Sequence, residues 1–199
     1  KDVWWGYLRS LQLSWRDHYA LVITFYKEHG EPTELAYALA EGHHKKPSYN
    51  EDAKVLLYDL FNRNGVTVDG HNGRGDLIWC VEHLELDIMV EKFSFDTMLA
   101  HHVINDTLPH DLTYQSKKYT DLGVYDTELE TWKRDNGVNE KMLDADSYGM
   151  IPYDILAPYS AKDADATFQS KKKLKAEIDA NPQWSYLFYN IVMPATAPI

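Results

Sequence analysis

Apolar and polar side chains alternate through residues 7–15, where Leu8, Leu11 and Leu13 recur between polar neighbours. A period near two predicts a strand. Arg16-Asp17-His18 makes a turn, and residues 19–26, rich in β-branched and aromatic side chains, predict the second arm of an antiparallel hairpin. Residues 27–50 carry Gly30, Pro32, Gly42 and Pro47 and read as loop, with a short helix at 34–41. The adjacent His43 and His44 read as solvated loop, since two neighbouring imidazoles do not easily meet one ion. Over 51–63 the period becomes helical. Val55, Leu56, Leu57, Leu60 and Phe61 supply an apolar face, and Asn64-Gly65 supplies a stop.

A short apolar strand at 66–68 leads into the polar turn 69–76, and residues 77–86 read as helix. Strand, glycine-containing turn, helix is where α/β proteins place binding groups, and Asn72 and Asp76 both sit there. An ordinary turn with Asp76 as N-cap is the structural alternative. No Gly-Lys-Ser/Thr follows, so this is not a phosphate-binding loop. Residues 93–99 predict a strand running into a helix that carries His101 and His102 on its surface and ends near Asn105, with Asp96 as its cap. Residues 112–119 form a further helix. Residues 120–153 are polar and poorly periodic, a loop excursion with short helices.

After Pro158, helix formers run without Gly or Pro to Ile178, predicting a helix that starts near Tyr159. Tyr159 and Asp163 are four apart and share one face. A phenol and a carboxylate so placed can orient a water and hold a hard divalent cation. Asp165 points elsewhere, toward solvent, and Lys171, Lys172 and Lys173 lie on the solvated side. Asn181-Pro182 breaks the helix, and residues 184–193 restart as an apolar one.

Composition narrows the class. With 199 residues, 44% of them hydrophobic, the chain can bury one core. A formal net charge of -11 argues against a general basic footprint for duplex nucleic acid. The single cysteine, Cys80, forbids an internal disulfide and fits a reducing compartment. No apolar run reaches membrane-spanning length and no signal peptide is apparent, so a soluble, cytoplasmic protein without a membrane partner is expected. The chain closes on the apolar Ile191-Val192-Met193-Pro194-Ala195-Thr196-Ala197-Pro198-Ile199, which reads as the start of something larger and suggests a domain cut from a longer polypeptide.

Phe95-Asp96-Thr97-Met98-Leu99 followed by Asn105, then Tyr159-Ser160-Ala161-Lys162-Asp163-Ala164-Asp165-Ala166-Thr167, resembles the 3'-5' proofreading exonuclease domain of family A DNA polymerases. Asn190-Ile191-Val192-Met193-Pro194 resembles the segment that leads from that domain into the polymerase domain. The resemblance implies a ribonuclease H-like α/β fold, a mixed sheet of about five strands flanked by helices. It places the exonuclease domain at 1–180 and the start of the polymerase domain or a linker helix at 181–199. It implies a site of carboxylates and one tyrosine binding two Mg²⁺ or Mn²⁺ ions that hydrolyse a phosphodiester at a single-stranded DNA 3' end. Carried over by position, Asp163 is a catalytic carboxylate and direct metal ligand, and Tyr159 orients the attacking water. Asp76 is the second-motif carboxylate, acting on a metal through water, and Asn72 touches the bound strand. The remaining partner is the rest of the polymerase polypeptide.

Two departures accompany the resemblance. The family opens on a strand carrying Asp-x-Glu just before the hairpin, and Asp2-Val3-Trp4 does not supply it. The sequence contains one Asp-x-Glu, Asp126-Thr127-Glu128, between the later motifs, where it reads as coincidence. Secondly, Gly75 stands where the residue before the second-motif aspartate is usually aromatic. The N-terminal strand of the fold is thus expected to be missing from the chain, which leaves it little or no nuclease activity alone. Two other readings share these residues: a non-catalytic scaffold within a polymerase, and a stand-alone exonuclease of the ribonuclease D type.

Overall fold

The computed structural model describes residues 6–38, 47–138 and 148–196. Residues 2–4, His43-His44 and the last three residues of the apolar tail lie outside these.

The hairpin forms as its alternation predicts. Strand β1 (Ser10–Arg16) pairs antiparallel with β2 (Tyr19–Thr24), in a register that sets Leu11 opposite Ile23 and Leu13 opposite Leu21. The chain reverses at His18, whose φ of 57° is left-handed. That strained tip is held from outside. The His18 amide donates to both carboxylate oxygens of Asp165, at 3.1 Å each, and its ring Nε2 lies 3.2 Å from Asp121. Asp165 therefore does not face solvent, as its helical position suggests, but is only 4% exposed beneath the hairpin.

The short helix expected at 34–41 is replaced, where described, by β3 (Ala36–Tyr37), which pairs with β4 (Ser48–Tyr49). Tertiary packing overrides local preference there. The buried Tyr26 hydroxyl lies 3.0 Å from the carbonyls of Tyr37 and Ser48, bridging the two strands. Helix α1 (Glu51–Asn62) is capped by Asn50, which accepts from the amides of Asp52 and Ala53. Ala53, Leu57 and Phe61 are its buried stripe. Val55 and Leu56, expected on the same apolar face, are exposed, because the side of the helix that meets the core is the narrow one bearing Ala53, Leu57 and Phe61.

Strand β5 (Val68–Gly70) and β6 (Phe93–Asp96) pair in parallel, connected through α2 (Gly73–Leu84) and α3 (Ile88–Glu91). Gly73 is required: a Cβ there would stand 2.8 Å from the Phe93 ring. Helices α4 (Thr97–Ile104), α5 (Leu112–Tyr119) and α6 (Thr127–Asp135) follow. Asp96 is the cap the sequence predicts, and more. Its Oδ1 accepts from Met98, Leu99 and Asn72 amides and its Oδ2 from Gly73, so one buried carboxylate secures the starts of both α4 and α2.

Helix α7 (Tyr153–Ala180) runs 28 residues and begins well before Tyr159. Pro158 lies inside it, so the sequence rule that starts a helix at proline fails here. Proline forfeits one backbone bond but its fixed φ is helical, and near the end of a long helix that cost is tolerated. The helix packs against β1, β2, β5, α4, α5 and α6. Lys171, expected to be solvated, is half-buried and pairs with Asp69 of β5, while Lys172 and Lys173 are exposed as expected, Lys172 reaching Asp17 at the hairpin turn. Helix α8 (Pro182–Leu187), capped by Asn181, passes into a wider π-helical turn (Phe188–Val192) rather than the single helix expected at 184–193. Phe188 is fully buried against Phe95, their ring centroids 4.8 Å apart.

The architecture is α/β. The strands among the described residues fall into three two-stranded sheets rather than one hydrogen-bonded sheet of about five. The hairpin β1–β2 rests on α7, and the β5–β6 pair meets it through β5. No helix of the described residues is long and apolar enough to cross a membrane.

Removing the Asp96 carboxylate orphans amides at two helix starts. Asp96→Ala should cost about 3 kcal/mol or more of unfolding free energy, read as a lower urea midpoint. Asp96→Asn, which keeps one acceptor oxygen, should lose less.

Candidate functional site

Tyr159 and Asp163 project from consecutive turns of α7, as their spacing requires. The Tyr159 hydroxyl donates to the Asp163 carboxylate, and Asp163 has a second phenol partner. Tyr125, from the segment between α5 and α6, donates through its hydroxyl to Asp163 Oδ1 at 2.6 Å. The Tyr125 and Tyr159 rings stand 6.0 Å apart and tilted by 42°. One carboxylate is thus held between two phenols. Burial, then the charge of Asp163, pushes both phenol pKa values upward, so both remain protonated donors.

Asp76 lies in the first turn of α2 rather than at its N-cap. Asn72 occupies the cap position in a left-handed conformation, φ 55° and ψ 41°, and its side chain makes no cap bond. The Asn72 amide is instead committed to Asp96, which leaves the exposed side chain at the mouth of the turn. Next to Asp76, a Cβ on Gly75 would meet nothing within 4 Å, so the surface beside this carboxylate is open where an aromatic neighbour would cover it.

Electrostatics links the two motifs. The Asp76 pKa is pushed up to about 6, by desolvation first and then by the charges of Asp96 and Asp163. Desolvation here comes from atoms crowding the carboxylate, since the residue keeps substantial solvent exposure. Asp163 also rises to about 6: burial outweighs the two phenol hydrogen bonds, and Asp126 adds repulsion that Lys133 partly offsets. The structure thus brings Asp76 and Asp163 within electrostatic reach of each other.

Their donor chemistry, carboxylate oxygen alone, suits a hard divalent cation. Among the described residues no three His, Cys, Asp or Glu side chains converge to hold one. Asp76 and Asp163 supply two carboxylates of this kind. Asp126-Thr127-Glu128 does not complete it: Asp126 is half-buried and acts on Asp163 and Tyr159, while Glu128 is exposed at the start of α6.

Sequence reasoning missed Tyr125, which sits in an aperiodic stretch where nothing but its position beside Asp126 marks it. It also placed His101 on a helix surface. His101 is fully buried, its Nδ1 2.8 Å from His110 Nδ1, while exposed His102 meets the other nitrogen of the same ring, His110 Nε2, at 3.0 Å. Because His110 presents opposite nitrogens, the three cannot share one ion in this arrangement. A groove of about 320 Å³ lined by Leu77, Val90, Phe93, Tyr189 and Met193 lies apart, with none of Asn72, Asp76, Tyr159 or Asp163 on its walls.

A family model described as 3'-5' exonuclease matches residues 23–179, from within β2 almost to the end of α7. A DNA polymerase of Escherichia phage T5 is 34% identical over 149 residues, covering 72% of this chain and 17% of that protein. A DNA polymerase of Bacillus phage SP01 is 30% identical over 149 residues, covering 70% of this chain and 14% of that protein. The chain spans less than a fifth of the length of either relative.

Because the folded pKa values of Asp76 and Asp163 exceed the ordinary 3.8, the native state holds more protons than the unfolded chain between pH 4 and pH 6. Stability from these two groups is therefore full below pH 4, declines as pH rises, and is lost above pH 6. Asp163→Asn should raise the melting temperature at pH 7.5 by about 2–4 °C and bring no gain at pH 4. Thermal unfolding at the two pH values checks this.

Proposed function

The chain belongs to the 3'-5' exonuclease domain family of the family A DNA polymerases, and we propose that it contributes part of a site that trims single-stranded DNA from its 3' end. The observation that carries the reading is Asp163, held by Tyr159 on its own helix and electrostatically coupled to Asp76 at the strand–turn–helix corner. Asp163 and Asp76 would hold the cations, Mg²⁺ or Mn²⁺, in a two-metal site. When bound, such ions supply a hydroxide nucleophile and stabilise the developing oxyanion.

The chain's own residues have separable roles. Tyr159, kept protonated, offers a fixed hydroxyl beside Asp163 to orient the attacking water. Asn72 presents an exposed amide side chain at the turn to the strand being trimmed. The cations offset the repulsion between these carboxylates and a phosphodiester, which reconciles an acidic protein with a nucleic-acid substrate.

The finer fold follows the same reading. The pairs β1–β2 and β5–β6, both in contact with α7, become two parts of one mixed ribonuclease H-like sheet of about five strands. A strand of the longer polypeptide carrying Asp-x-Glu completes both the sheet and the acidic set. Residues 1–180 are the exonuclease domain, and 181–199 lead into the polymerase domain, whose remainder is the partner of this surface. The setting is the cytoplasm of a phage-infected cell.

A second reading has one specific observation in its favour: no three potential ligands converge among the described residues. On that reading the domain is a non-catalytic brace for a polymerase.

The two readings separate in a calorimetric Mn²⁺ titration of this chain and of a form extended upstream. The nuclease reading expects weak binding by the chain, tight binding by the extended form, and loss of both binding and 3' trimming in Asp163→Ala. Tyr159→Phe in the extended form should slow trimming by about 10²-fold with metal affinity retained. An extended form that binds no metal would leave the brace.

A further inference from the structure

We propose that Tyr125 is a latch on Asp163, occupying its carboxylate while no cation is bound and releasing it when one binds. The inference rests on the reading of Asp163 as a cation ligand. Tyr125 lies outside the residue set that the family resemblance assigns, which has a single tyrosine, and its position comes from the structure alone.

The geometry is that of a charge-assisted hydrogen bond. The Tyr125 hydroxyl stands 2.6 Å from Asp163 Oδ1, within the short range that O–H···O⁻ pairs adopt. A carboxylate offers about four lone-pair sites, and two phenols already claim two of them. A hydroxyl proton aimed at Oδ1 and a cation seeking the same lone pair carry charge of the same sign to the same place. They exclude one another.

For a cation to take that lone pair, the Tyr125 hydroxyl must leave Asp163 Oδ1. It has to move. Its segment allows this: it precedes α6, next to exposed Val124 and to Gly123 in a left-handed conformation with φ 63°. Tyr159 differs, because it is fixed one helical turn from Asp163 and its bond survives any motion of the loop. The surroundings also give the latch a purpose. Asp126 bears on Asp163, and Asp163 in turn on Asp76, so in the cation-free protein the Tyr125 proton offsets part of a repulsion that a cation later offsets more fully.

Tyr125→Phe tests the latch while keeping the ring and its packing. Mn²⁺ binding to this chain, followed by loss of the free-ion electron paramagnetic resonance signal, should tighten about tenfold in Tyr125→Phe. A near-ultraviolet tyrosine difference spectrum on adding Mg²⁺ should appear in the parent and vanish in the variant. The cation-free variant should also melt at lower temperature than the parent, a penalty that saturating Mn²⁺ removes. If Tyr125→Phe binds Mn²⁺ equally or more weakly while Asp163→Asn abolishes binding, the latch is wrong and the site reading stands. If Asp163→Asn leaves binding unchanged, Asp163 is not a ligand, and both fall.

Discussion

The carboxylate of Asp96 is the joint on which the acidic corner of this chain turns. Four backbone amides from two helix starts converge on it. Helix N-termini carry partial positive charge and unpaired donors, so one buried anion can satisfy two of them at once. This convergence sets β5–α2 beside β6–α4 and thereby fixes where Asn72 and Asp76 emerge. Gly73 belongs to the same constraint, since any side chain there would strike the Phe93 ring and force the turn away from Asp96.

Around that joint the molecule gathers negative charge that it does not neutralise. Asp76 and Asp163 hold their protons to about pH 6, and Asp126 adds to the repulsion at Asp163. The phenols of Tyr125 and Tyr159 and the charge of Lys133 relieve it in part. Some acids elsewhere have cationic partners: Asp69 with Lys171, Asp17 with Lys172, Asp179 with Lys175. At the corner, by contrast, desolvated carboxylates bear on one another, and such perturbed acids gather at functional sites.

Local signals carried a good part of this into the sequence. The alternation of Leu11 and Leu13 predicted the hairpin, Asp96 declared itself as a cap, and the four-residue spacing of Tyr159 and Asp163 put them side by side. What stayed hidden depended on partners distant in sequence. Asp165 reads as a solvated helical acid until the His18 amide arrives from the hairpin, and Lys171 reads as solvated until Asp69 meets it. Residues 36–37 form a strand because Tyr26 needs acceptors, which no local propensity records. Tyr125 has no periodic or spacing signature at all, since an aperiodic loop delivers it to Asp163. Pro158 misled in the opposite way, a strong local signal overruled by a helix long enough to absorb it.

Helix α7 gathers several long-range ties on one continuous rod: Tyr159 and Asp163 near one end, Asp165 under the hairpin, Lys171 on β5, and Leu174 and Ile178 in the core that holds Phe188. Asp163 and Ile178 are separated by about 22 Å along its axis at helical rise. Whatever is joined beyond Phe188 is therefore surveyed to a fixed distance from the acidic corner, as by a ruler. Between Asp163 and Ile178 the helix has no break, so the two positions keep that spacing.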